Sequence, residues 1–432
     1  MLPMAAFAND YGWLSFGDLR GNIEPCGCDP ETDLGGIRRI NTVITRERLF
    51  DPLLKVYDLG NNLPLNMTAF GNKAKYLDLG LAQIKADAAL FNVLEINAAQ
   101  EGFEFAKNRK FVLSNSKTKF DKIVASSVVV GDRKFFGYVY RKDLDYSLQT
   151  ILENPDIFKK LDPNKNKKNT LLFSGPDAHL QVVLDLKLFD EIISSNRADL
   201  TETPTFAEKA NIELLKRTLK DETVWMVPVG GQGLLRGGNK LFSIAQPIFS
   251  LDKSAAIDAS PIFKEVTQVT WLDNNEEKPE SLKEVFDAYN KSQKKDFFEY
   301  AAHRAKALKA SNFAGAAACK ACHSVEYQVW EQSAHANAYS TLKNKSKNQD
   351  LECVKCHVVG GDEVGGFASL ETSPHLKNVQ CENCHGPRKE HINNPVPPEF
   401  KQQSAKNACK SCHHIPHSAD FQFEKYWKRI KH

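Results

Sequence analysis

Four copies of Cys-x-x-Cys-His crowd the last quarter of the chain: Cys319, Cys322 and His323; Cys353, Cys356 and His357; Cys381, Cys384 and His385; Cys409, Cys412 and His413. Eight of the ten cysteines are used this way. Two thiols at this spacing can add to the two vinyl groups of a haem, and the histidine that follows lies under the ring, where it can ligate the iron. The pattern therefore implies four covalently attached c-type haems, anchored by the eight cysteines and ligated by His323, His357, His385 and His413. Cys-x-x-Cys pairs also clip zinc. Zinc explains the thiols but gives no reason for a histidine directly after all four pairs.

The segment that must position these groups is poor in apolar residues. From 311 to 432 only 25 of 122 residues are Val, Ile, Leu, Met, Phe, Tyr or Trp, which is thin for a self-sufficient core. Four porphyrins supply the missing apolar surface, so this domain is expected to fold only with haem bound. Its 15 Lys and Arg against 12 Asp and Glu point to basic side chains paired with haem propionates. Six further histidines lie here: His335, His375, His391, His414, His417 and His432. A second axial histidine holds iron low-spin and suits electron transfer, whereas an open sixth position permits ligand chemistry.

The stretch from Cys319 through Trp330-Glu331-Gln332-Ser333-Ala334-His335-Ala336 resembles the tetrahaem cytochrome c-554 family. Gly365-Gly366-Phe367, Cys381-Glu382-Asn383-Cys384-His385-Gly386-Pro387 and the terminal Tyr426-Trp427-Lys428-Arg429-Ile430-Lys431-His432 fit the same pattern. The resemblance implies distal iron ligands at His335 and His391. It also implies one five-coordinate haem, without saying which.

Upstream, 432 residues exceed one typical domain. The whole is 42% apolar and 26% charged with a formal charge of +3, a balance that gives no sign of nucleic-acid binding. No apolar run is long enough to span a bilayer. Residues 1–8 end in Ala6-Phe7-Ala8, resembling the small-x-small cleavage site of a secretory signal whose start lies further upstream. Because c-type haem is attached outside the bacterial cytoplasm, a periplasmic address is expected. Residues 9–275 form the next unit, 276–312 a linker read as one long helix over 280–309, and 313–432 the haem domain. His303 on that helix is read as a surface histidine.

Between 11 and 273 short apolar runs alternate with helical periods. Strands are expected at 13–16, 53–59, 110–114, 123–130, 134–140, 171–173, 182–186 and 224–229, with 134–140 pairing back on 123–130 across Gly131-Asp132. Helices are expected at 36–50 and 77–90. This alternation predicts an α/β layered domain ahead of a mainly α, loop-rich multihaem domain.

The order of segments resembles the calcineurin-like metallophosphoesterases of the periplasmic 5′-nucleotidase type, a metallophosphatase-like sandwich. Asp18-Leu19-Arg20, Asp58-Leu59-Gly60-Asn61, Asn92-Val93-Leu94-Glu95 and Pro228-Val229-Gly230-Gly231-Gln232-Gly233 stand where that family has its metal-binding motifs. Each is eroded. Two-metal hydrolysis needs several imidazole and carboxylate ligands, and residues 1–318 hold only His179 and His303. The expectation is a retained fold with the dinuclear site lost and His179 in a surface or hydrogen-bonded role. Glu24-Pro25-Cys26-Gly27-Cys28 resembles a signature of phosphatase-like relatives. Cys26 and Cys28 are open to three readings: a structural disulfide, a redox-active disulfide, or metal-bound or free thiols.

The sequence thus points to a periplasmic electron-transfer protein rather than a hydrolase, with donor and acceptor proteins or quinol-linked membrane complexes as partners. The phosphatase-like part is read as a docking domain. Two alternatives stand beside it: a haem oxidoreductase acting on a small nitrogen or sulfur compound, and a residual phosphoesterase or sulfur-ester hydrolase.

Overall fold

The computed structural model describes residues 12–25, 34–115, 120, 123–141, 167–195, 216–219, 222–226, 233–237, 239–242, 262–265, 268–395, 402–413 and 421–432. Residues 1–8, the Cys26 and Cys28 loop, 227–232, His414 and His417 lie outside them. The chain divides into two compact units, Met1–Val285 and Phe286–His432.

The first unit is built around strands with few exposed side chains: those at 13–16, 55–58, 88–90 and 111–112 are almost wholly buried. One seven-stranded sheet has the order β15-β12-β1-β2-β3-β4-β5: Gln268–Trp271, Gly233–Gly237, Trp13–Phe16, Lys55–Asp58, Ala88–Leu90, Phe111–Val112 and Val124–Ala125. β1 to β5 run parallel, and β12 and β15 close the edge antiparallel. A six-stranded sheet has the order β10-β11-β9-β8-β7-β6: Lys216–Leu219, Glu222–Met226, Glu191–Ser194, Lys168–Ser174, Arg133–Val139 and Val128–Val130. β13 (Asn239–Phe242) and β14 (Ile262–Glu265) pair as a ribbon.

Alternation along β7 and β8 makes this a layered structure. Phe135, Val139 and Leu172 enter the core between the sheets, with Trp13, Tyr57 and Leu90 of the other sheet. Phe136, Tyr138, Leu171 and Phe173 point the other way and pack with Leu180 and Val183. At Gly137 the sheets approach so closely that a Cβ would meet the Val112 carbonyl at 2.5 Å. The expected α/β layered class is therefore the observed one.

Among the described residues the unit also has helices α1 (Ile37–Phe50), α2 (Met67–Ile84, kinked at Phe70), α3 (Val93–Gln100) and α4 (Asp177–Asp185). Two of them depart from the sequence reading. The helix expected over 77–90 spans Met67–Ile84, and its last expected turn is strand β3. The strand expected over 182–186 belongs to α4. Leu180, Val183 and Leu184 recur at helical spacing behind Pro176, and Gln181 donates to Asp185 one turn on at 3.0 Å. That periodicity overrides the strand preference of the adjacent valines. The run expected over 123–130 is two strands, β5 and β6, in different sheets.

The second unit is mainly α and loop-rich, as expected. Helix α5 (Lys283–Ala307) enters it, three residues shorter at the start and two at the end than the sequence reading. Phe297 and Ala301 of α5 join Phe313, Tyr339, Leu342, Val354, Val358, Val359, Phe367 and Leu376 in one small core. Tyr300 and Arg304 hold the glycine-rich loop after His357. The Tyr300 hydroxyl donates to the Gly361 carbonyl at 2.7 Å, and Arg304 donates to the carbonyls of Gly360, Glu363 and Phe367. Inside this loop Gly366 lies so close to Gly360 that a Cβ would stand 2.0 Å from the Gly360 oxygen. His303 is exposed. Among the described residues no helix is long and apolar enough to cross a membrane.

Candidate functional site

Each Cys-x-x-Cys-His segment is one helical turn. In the first and fourth copies the histidine amide donates back to the first cysteine's carbonyl, His323 to Cys319 at 2.9 Å and His413 to Cys409 at 2.8 Å. The third copy is itself a helix, Cys381–His385, capped by Gln380 and Asn383. In the second, His357 donates to Val354 at 2.9 Å and Cys356 to Cys353 at 3.3 Å. On such a turn residues i, i+3 and i+4 share a face, so both thiols and the imidazole project to the same side. Among the described residues none of these eight cysteines forms a disulfide.

Three of the four motif histidines face a second histidine from a distant segment. His323 and His391 have ring centres 6.3 Å apart, His335 and His413 6.1 Å, and His385 and His432 5.9 Å. One iron between two imidazoles sets almost the same figure: two metal–nitrogen bonds of about 2 Å, plus about 1 Å from each nitrogen to its ring centre. Burial, then the adjacent His357, lowers the pKa of His335. Burial, then His432, Arg388 and His323, lowers that of His385. Both rings are thus favoured in the neutral form that ligates a metal.

His357 differs. Its Nδ1 lies 2.7 Å from the Ala338 carbonyl and 3.5 Å from the Thr341 hydroxyl. An Nδ1–H donated to that carbonyl fixes the tautomer and leaves Nε2 for a metal. Among the described residues no histidine ring stands opposite it. His375 is exposed, and its carbonyl accepts from Gln380 at 2.8 Å.

The motifs are also brought together in a definite sequence. The Cys381 thiol is close enough to raise the pKa of Cys319, and Cys412 does the same for Cys356. The pKa of Cys384 is raised by burial and then by the nearby Cys409 and Cys412. Proximity of the thiols therefore links the first motif to the third, the third to the fourth and the fourth to the second. Sequence reasoning kept His432 among the further histidines without singling it out as a ligand; it faces His385, and its signal lies in the terminal segment that carries the resemblance.

In the first unit, the first three eroded motifs meet at the C-terminal ends of β1, β2 and β3; residues 228–232 of the fourth lie outside the described residues. Asp18 and Arg20 form a buried ion pair at 3.0 Å. Arg109 bridges Asp58 at 2.8 Å and Asp78 at 2.5 Å. The Asn61 and Asn62 amides donate to the two Glu95 oxygens at 2.8 and 2.9 Å. Burial, and then the charge of Asp58, raises the Glu95 pKa to about 7. Asp18, Arg20 and Asn61 all sit at positive φ, a strained conformation for residues with a Cβ. Among the described residues no group of three or more His, Cys, Asp or Glu is arranged to hold a metal ion. His179 is buried, with Nδ1 2.5 Å from the Tyr138 hydroxyl and its ring against Tyr140.

The family model described as "Cytochrome c554 and c-prime" matches residues 318–386. Cytochrome c-554 of Nitrosomonas europaea is 37% identical over 90 residues, which are 17% of this chain and 38% of the relative; the chain thus spans well under half of that relative's length. The C-terminal unit therefore carries a cytochrome c554 domain, and with it covalently bound c-type haem is implied. Among solved structures, the 5′-nucleotidase precursor of Thermus thermophilus is similar with a TM-score of 0.43 and 13% identity, over 66% of this chain and 59% of that one. The calcineurin-like phosphoesterase YfkN of Bacillus subtilis gives 0.38 and 15%, over 65% and 97%.

Proposed function

We propose that the chain is a periplasmic tetrahaem c-type cytochrome that carries electrons between a donor and an acceptor, proteins or quinol-linked membrane complexes. What supports this most is the opposition of His323 with His391, His413 with His335, and His385 with His432, at 5.9 to 6.3 Å. Haem bound there supplies one-electron exchange between ferric and ferrous iron. Each imidazole pair would hold an iron from both sides, an arrangement suited to electron transfer rather than to binding a further small ligand. The eight cysteines anchor the groups covalently, and the contacts among their thiols favour an order first, third, fourth, second. The first unit acts as a docking domain. Its carboxylates Asp18, Asp58 and Asp78 are engaged by Arg20 and Arg109, which disfavours the residual-hydrolase reading. Cys26 and Cys28 remain candidates for an additional redox disulfide.

A second reading rests on His357, held from Nδ1 by Ala338. With no histidine facing it among the described residues, this site favours a five-coordinate iron, where a small nitrogen or sulfur compound could bind. Electron paramagnetic resonance on protein with a measured haem content tests both. Four haems with three low-spin signals and one high-spin signal are expected, and His391→Ala should convert one further signal to high-spin. An unchanged spectrum in that variant contradicts the assigned pairs. Turnover of nitrite, hydroxylamine or thiosulfate by the reduced protein would favour the second reading.

A further inference from the structure

Between two haem-attaching cysteines lies a buried acid with no part in attachment or ligation. We propose that Glu382 is a positioning residue that clamps the segments carrying His323 and His391 together and holds down the reduction potentials of the haem sites at the first and third motifs; this rests on the haem-binding reading above. Glu382 is 2% exposed. Its Oε1 accepts from the amides of Ala314 at 3.0 Å and Arg388 at 2.8 Å, and its Oε2 from those of Ala314 at 3.1 Å and Gly315 at 2.8 Å. Both oxygens only accept, as an ionised carboxylate does. Such charge-assisted bonds offset the cost of burying the charge.

The three amides belong to two other stretches of chain. Ala314 and Gly315 open the turn Ala316–Cys319 that leads to His323. Arg388 precedes the helix Lys389–Asn393 that bears His391. The same stretches meet again where the Lys389 amide donates to the Asn312 carbonyl at 3.1 Å and its Nζ to the Ser311 carbonyl at 3.0 Å. Gln380, two residues before Glu382, accepts from the Ala316 amide at 2.5 Å and donates to the His375 carbonyl at 2.8 Å. Gly315 sits at φ +82, where a Cβ would come within 2.8 Å of the His375 oxygen. The backbone in front of the first motif is therefore fixed from several sides, with the Glu382 carboxylate at the centre. Sequence position puts the same charge inside the third motif. A fixed buried anion favours ferric over ferrous iron, because the oxidised centre carries one more positive charge.

Spectropotentiometry of the haem-loaded full chain and its variants tests this. E382Q, which removes the charge and keeps the shape, should raise two of the four midpoint potentials and leave the other two in place. E382D, which keeps the charge, should leave all four near the native values while altering the low-spin signal of the His323 and His391 pair. Four bound haems with unchanged potentials in E382Q, or an equal rise in all four, overturns the proposal and leaves the haem reading intact. A native chain that binds no haem overturns that reading instead. Hydrogen exchange on the native chain is independent of either variant folding. The amides of Ala314, Gly315 and Arg388 should be among the slowest of the unit, and rapid exchange at all three refutes the clamp.

Discussion

At the residue scale, chemistry that depends on neighbours in sequence was readable and chemistry that depends on neighbours in space was not. Cysteines at i and i+3 and a histidine at i+4 share a helical face whatever the rest of the chain does, so the candidate anchors and candidate proximal histidines are legible from spacing alone. Which histidine faces which is set by tertiary structure: His323 and His391 lie on segments joined by bonds through Glu382, and the terminal segment that carries the resemblance does not itself say that His432 faces His385. Glu95 stands in one of the eroded motifs, but its burial, which depends on tertiary structure, has a measurable result. Its folded pKa of about 7 lies above the ordinary 4.5, so between those values the folded state keeps a proton that the unfolded state has lost. Stability of the first unit should therefore fall as pH rises from about 4.5 to 7 and level off above, by on the order of 1–3 kcal/mol. Asp58 and Asp78, both raised by burial, act with the same sign. Urea titrations across that range should show the midpoint falling in the native chain and a shallower slope in Glu95→Gln; a midpoint that rises with pH contradicts the assignment.

At the element scale, strands flanked by clear turns were legible, as with the hairpin joining β6 to β7. Errors arose where two periodicities competed. Val182 and Val183 carry strand propensity, but the spacing of Leu180, Val183 and Leu184 behind Pro176 is helical, and packing against Phe136 and Phe173 decided the matter. The early start of α2 was hidden by Gly71, a weak helix former. Two glycines therefore make opposite predictions. Gly71 has open space at its Cβ position, so Gly71→Ala should stabilise the chain by about 0.5–1 kcal/mol through helix propensity. Gly366 abuts the Gly360 backbone, so Gly366→Ala should loosen the loop after His357 and lower the thermal midpoint of the second unit by several degrees. Equal effects of the two substitutions in differential scanning calorimetry would be inconsistent with this packing.

At the scale of the whole molecule, the division into an α/β unit and a mainly α unit followed from composition and from the change in period along the chain. The second unit's own core gathers ten buried side chains around Phe313, Tyr339 and Phe367, small for its length. Expressed without haem attachment, the chain should therefore yield, on limited proteolysis, a resistant fragment ending near Val285 and no resistant C-terminal fragment. A stable haem-free C-terminal unit would show that protein packing alone suffices. The first unit has a different source of independence. Arg109, set between Asp58 and Asp78, offsets buried negative charge with a group that belongs to the chain. A bound ion stabilises only in proportion to how far its concentration exceeds its dissociation constant, and it can be diluted or chelated away. A guanidinium tethered to the chain has no such dependence. The charge balance at this point of the fold is thus fixed at synthesis and indifferent to the ionic composition of the compartment in which the protein works.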